Sequence, residues 1–101
     1  MITNLDWLPV GSVVGLEGGE RPVMIAGVMV TDGETSQLWD YLGYPYPEGR
    51  QQAGDFFFNK PQINEIYHVG FMNSTACAFQ AYVEDKTPEF EEDKAKHKGA
   101  K

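Results

Sequence analysis

The stretch from Trp39 to Phe58, WDYLGYPYPEGRQQAGDFFF, holds seven of the chain's thirteen aromatic residues in one fifth of its length. No other feature limits the fold as much. Each ring brings a large apolar area to the packing. A chain of 101 residues can build one domain around one modest core. The ring-rich segment is the material for that core, and the remaining residues are expected to wrap around it. It reads as a strand over 38–44, a Pro/Gly turn region over 45–54 and a second strand over 55–58. Pro45 and Pro47 end the first of these, because each removes a ladder donor.

The flanking sequence supplies the partners. Trp7, in an approach segment held extended at Leu8 by Pro9, is placed to plug one end of the core. Residues 12–17, SVVGLE, are a short strand, and Gly18-Gly19 turns it into a hairpin. Residues 22–30, PVMIAGVMV, are apolar on both faces, as a covered central strand requires. Gly27 inside that run marks a bulge or bend. Residues 31–36, TDGETS, are a polar loop, and a single helical turn is expected over 61–64. Residues 65–71, EIYHVGF, read as a strand, with Tyr67, Val69 and Phe71 on one face. Asn73-Ser74 is a helix cap. Ala76, Phe79, Tyr82 and Val83 then fall at helical spacing, so a helix over 75–86 lays one apolar stripe on the sheet. Thr87-Pro88 is expected to stop it.

This pattern predicts an α+β fold, mainly β. The sheet is small, antiparallel and strongly bent, an SH3-like barrel of about five strands with a C-terminal helix. An open sheet with the helix across one face is the alternative. Residues 1–86 form the single domain. Residues 87–101 form a flexible charged tail whose one large apolar residue is Phe90. Carboxylate-to-lysine pairs such as Glu92 with Lys96 permit some helix there.

The net charge is −7, and residues 1–86 carry all of it, since the tail is balanced. Nucleic-acid binding needs clustered Lys and Arg, so no nucleic-acid partner is expected. No apolar run approaches the roughly 20 residues of a membrane helix, and no membrane insertion is expected. The opening MITNLDWLPV lacks the basic and apolar regions of a secretion signal. Cys77 is the only cysteine, which suits a reducing compartment. The expected location is cytoplasmic.

Reactive groups are sparse. His68 lies in a strand and His97 in the tail, and Cys77 reads as a small buried hydrophobe. A metal site needs three or four ligands in reach, so no metal or other cofactor is expected. No serine has the neighbours of a nucleophile. Asp40, on the face of Leu38 and Leu42, is either an inward acid or an edge residue bonded to a turn backbone. The glycines of VGLEGGERP precede a strand rather than a helix, which excludes a phosphate cradle. The expectation is a protein without catalytic residues. Trp39, Tyr44 and Tyr46 exceed what a small core holds, and exposed rings rimmed by polar groups mark protein interfaces.

Four segments in order carry a family resemblance: LPVGSVVGLEGGERPVMIAG at 8–27, WDYLGYPYPEG at 39–49, DFFFNKPQINEIYHVGF at 55–71 and the helix that follows. Together they resemble the domain of unknown function 4176 family of Gram-positive bacteria, over about residues 5–86. The chain departs from the pattern in its apolar helix, TACAFQAY, where more acidic residues are expected. That departure turns Phe79 and Tyr82 toward a partner, or reflects a particular partner. The resemblance implies a small accessory protein of type VII secretion, a chaperone or export adaptor for an LXG-type toxin. Its partner is then a secreted toxin, and no catalytic residues come with the family. An immunity protein neutralising a toxin domain is the second expectation. A small ligand-binding or hydrolytic barrel using Asp40 and His68 is the third.

Overall fold

In the computed structural model, which describes residues 2–52 and 54–99, five strands form one antiparallel sheet. They are β1 (Val13–Leu16), β2 (Val23–Thr31), β3 (Leu38–Pro45), β4 (Phe56–Phe58) and β5 (Ile63–His68), in the order β4-β3-β2-β1-β5. A 3-10 turn, Lys60–Gln62, leads into β5, and one helix, α1 (Ser74–Gly99), follows. The α+β, mainly β reading of the sequence describes this architecture.

The strand pairing is interrupted by single extra residues. Pairing of β2 with β3 steps from Ile25↔Gly43 to Gly27↔Leu42, so β2 carries one residue more than β3 at the expected bulge. Beyond it Val28, not Gly27, comes opposite Tyr41. Two further irregularities fall on β5, where Val13↔His68 steps to Val14↔Ile66 and Gly15↔Glu65 steps to Leu16↔Ile63. Extra residues of this kind increase the local twist. Tyr67 is one of them. It and Phe71, beyond the strand's end, are exposed.

The sheet does not close into a barrel. The edge strands β4 and β5 stand at opposite ends of the order, so the SH3-like barrel is corrected to an open sheet. The three residues of β4 offer too little ladder to reach across. The N-terminal segment and α1 cover the core instead. Trp7 meets Tyr41 edge-on at 5.5 Å and Phe90 at 6.1 Å between ring centroids. Tyr41 packs on Phe58, and Leu8, Val14, Val23, Ile25, Ile63 and Val83 complete the buried cluster. The Leu8 backbone N–H donates to the Tyr41 hydroxyl at 2.8 Å, which satisfies both groups inside the core. Trp7 therefore does plug the core.

Two glycines allow close backbone crossings. A methyl group at Gly43 would lie 2.5 Å from Val23 Cγ1. At Gly70 it would lie 2.5 Å from the Val10 carbonyl oxygen, where the chain leaving β5 passes the start of β1. The Gly70 N–H donates to the buried Ser12 hydroxyl there, and this crossing sets the departure of α1.

The helix begins as expected. Asn73 Oδ1 accepts the Ala76 N–H at 2.8 Å. It does not stop at Thr87-Pro88 but runs through Pro88 to Gly99. Pro88 is exposed, so the backbone bond it cannot make is lost on the solvent-facing side of the helix. Downstream residues hold the continuation. Phe90 is buried against Trp7, and Lys94 pairs with Asp40. Residues 87–99, expected in a flexible tail, are thus helical; residues 100 and 101 of that tail lie outside the described residues. The packed stripe is Gln80, Val83, Thr87, Phe90 and Lys94, spaced by three and four. Gln80 bonds the Trp7 carbonyl and Thr87 accepts the Trp7 indole N–H at 2.8 Å. Of the stripe expected from the sequence only Val83 is fully buried; Phe79 and Tyr82 face outward.

Candidate partner-binding surface

The five rings expected to bind a partner fall in three places. Trp39, at the start of β3, is half-buried and stands 6.2 Å from Phe57. Its indole Nε1 is buried with no hydrogen-bond partner among the described residues. Tyr44, at the far end of β3, pairs with Met24 of β2 and is half-buried. Burial, and then a hydrogen bond to the Asp55 carboxylate, raise its hydroxyl above the ordinary tyrosine value. Tyr46 is exposed and lines a groove of about 470 Å³ with Gly11, Val13, Met24, Tyr67 and His68. Phe79 and Tyr82 stand on α1, stacked at 6.4 Å between centroids and both exposed.

A second groove, of about 480 Å³, opens at the end of the sheet and is continuous with the core through Val23. Leu16, Pro45, Phe56 and Phe57 line its apolar part. Its rim carries Glu20, Asp55 and Arg21, and Arg21 is paired with Glu48. The Arg21 hydrogen bond holds the Glu48 carboxyl below the ordinary range. A third, of about 300 Å³, runs between α1 and β2. Met29, Tyr82 and Phe90 floor it, and Lys86, Glu89 and Asp93 stand along it.

Sequence reasoning missed several residues of these surfaces. Phe71 and Met72 follow β5 and are exposed, Phe71 at 79%. A period-two reading placed Phe71 inside a strand, and nothing local marks the strand's end at His68. The Glu89/Asp93 flank was hidden because the helix was expected to end before it.

The reactive groups singled out in the sequence are committed elsewhere or stand alone. Asp40 is buried; Oδ2 accepts the Lys60 N–H at 2.8 Å and Oδ1 accepts Lys94 Nζ at 2.6 Å. Asn59 closes the cluster, its Oδ1 accepting the Asp40 N–H. Asp40 thus points inward and also bonds the backbone of the Lys60–Gln62 turn. The Lys60 ammonium lies over the Trp7 ring at 3.7 Å. Burial pushes it below its ordinary value, with the Asp40 and Glu91 charges opposing. His68 is exposed on β5. Cys77 is exposed on α1, not buried as a small hydrophobe, because α1 turns that side outward. No group of three His, Cys, Asp or Glu residues that could hold a metal ion occurs among the described residues. No helix among them is long and apolar enough to cross a membrane.

Fold and surface together define a small α+β protein whose exposed chemistry is aromatic and acidic. A family model, domain of unknown function (DUF4176), matches residues 7–79, most of the chain. The chain belongs to that family. No curated protein and no solved structure shows significant similarity to it. The matched span covers the whole sheet and the first turns of α1.

Proposed function

We propose that this protein is a non-enzymatic accessory protein of type VII secretion, a chaperone or export adaptor that binds an LXG-type toxin in the cytoplasm. The observation that carries the reading is the outward face of α1. Its stacked Phe79 and Tyr82 are exposed, and Phe71 and Met72 add exposed apolar surface just before the helix. Unpartnered aromatic surface of this kind is characteristic of binding sites for other proteins. The setting is the one that the family resemblance of the sequence implies, an accessory of type VII secretion. The state of Asp40 speaks against a hydrolytic barrel: both of its carboxylate oxygens are occupied, and it is 2% exposed. The test is co-purification with an LXG-type toxin encoded alongside it, followed by export of that toxin with and without this protein. A toxin that neither co-purifies nor loses export refutes the reading.

The charge favours a second reading, immunity. A net charge of −7 suits occlusion of a cationic toxin site. Survival of cells expressing the isolated toxin domain separates the two, since an immunity protein rescues them and an export adaptor does not.

A further inference from the structure

We propose that the groove between α1 and β2 is the docking site for a cationic amphipathic helix of the partner protein. This rests on the partner-binding reading above and names the chemistry that the partner must present. The groove has two parts in sequence along one flank of the helix. Tyr82 lines the upstream end, with Phe79 stacked on it just outside, and Met29 and Phe90 add apolar floor along the groove. Glu89 and Asp93 stand at the downstream end.

Residues 79, 82, 86, 89 and 93 recur by three and four, so they form one ridge about 21 Å long. A ridge with that spacing accepts the grooves of a second helix. Charge selects which helix. Among the described residues of α1, Glu84, Asp85, Glu89, Glu91, Glu92 and Asp93 are exposed acids. The helix's lysines are Lys86, Lys94, Lys96 and Lys98, fewer than its acids, and Lys94 is taken up by Asp40. Lys86 Nζ already rests 5.8 Å from the Tyr82 ring centre, a contact that a partner's lysine or arginine can repeat.

The same charges disfavour the other occupants. A second copy laid parallel sets Glu89 and Asp93 against their own equivalents. Laid antiparallel, it sets them against Phe79 and Tyr82. Nucleic acids and anionic membrane surfaces are repelled. A helix with an apolar stripe flanked by lysine or arginine satisfies both halves of the groove.

The test uses the full chain and a labelled synthetic helix of about 18 residues, with leucines on one face and flanking lysines. The same peptide with glutamates for the lysines is the control. Fluorescence anisotropy should show the lysine peptide binding about tenfold or more tightly than the control. The Phe79→Ala/Tyr82→Ala variant should lose about tenfold or more in affinity. The Glu89→Lys/Asp93→Lys variant should lose as much, together with most of the dependence on salt. All four side chains are exposed, so urea midpoints should stay unchanged. If the charge-reversed variant shifts its midpoint, Glu89→Gln/Asp93→Asn replaces it, with a smaller loss expected. Equal affinity for the two peptides, or wild-type affinity in the variants, overturns the groove.

Capture of the co-expressed toxin by the same variants keeps the two readings apart. A toxin held equally by wild type and variants sinks the groove alone. A toxin not held by wild type, with the peptide results as expected, sinks the functional reading alone.

Discussion

Lys94 Nζ lies 2.6 Å from Asp40 Oδ1, a contact that spans 54 residues and ties the late turns of α1 to β3. Asp40 is 2% exposed, and the Lys94 side chain 12%. Removing one partner of such a pair strands the other, and the more buried charge suffers more. Lys94→Met should cost about 3 kcal/mol, because it leaves the carboxylate with the Lys60 amide as its remaining bonded partner. Asp40→Asn should cost about 1–2 kcal/mol, since Lys94 can turn to Glu91, 3.6 Å away, and to solvent. Urea unfolding of both variants checks the order. A smaller loss in Lys94→Met than in Asp40→Asn would contradict it.

Tyr41 couples stability to alkaline pH. Burial raises its hydroxyl far above the ordinary value, the Leu8 N–H opposes, and the Asp40 and Asp6 charges add to the rise. The folded protein thus keeps the proton at pH values where the unfolded chain loses it. The stabilisation is fully present below the unfolded tyrosine value, about pH 10, and is lost as pH climbs above it. Tyr41→Phe should flatten that decline. It should also cost about 1–3 kcal/mol at neutral pH by orphaning the Leu8 N–H. Unfolding curves from neutral to alkaline pH read both effects.

Gly43→Ala should destabilise by about 3 kcal/mol or more, since the new methyl meets backbone as well as side chains. It would lie 2.9 Å from the Met24 carbonyl oxygen and 3.0 Å from Phe58 Cε1. Gly33→Ala, where nothing lies within 4 Å, should change stability by less than about 0.5 kcal/mol. Thermal midpoints of the two variants make the comparison.

Pro88→Ala should stabilise the protein by about 1–2 kcal/mol, because it restores an interior helix bond. The gain should stay below the full proline penalty, as Pro88 sits on the solvent-facing side of the helix. Urea midpoints measure it. An unchanged or lower midpoint would show that proline fits the helix without cost.

The β part of this fold was largely legible in the sequence. Alternating and two-sided apolar runs set β1, β2 and β3, glycine pairs and prolines placed their ends, and Gly27 marked the bulge. These are short-range signals, written in the chemistry of neighbouring residues. Trp7 was also legible as a plug, since a large apolar ring in a loop-like segment has few other uses. The candidate surface was legible only as a list of rings. Phe79 and Tyr82 share the spacing of a buried stripe, and no local rule separates an inward ring from an outward one.

The end of α1 shows why. Pro88 is a strong local stop, and taken alone it outweighs the residues beside it. Phe90 and Lys94 override it only because Trp7 and Asp40, far away in sequence, wait for them across the sheet. The amino-acid order by itself determined the strands, the helix start, the acidity and the surplus of rings. Tertiary packing decided that the sheet stays open, that the helix continues and which rings face water. Those outcomes depend on burial and charge pairing between distant segments, and such energies exist only once the chain has brought them together.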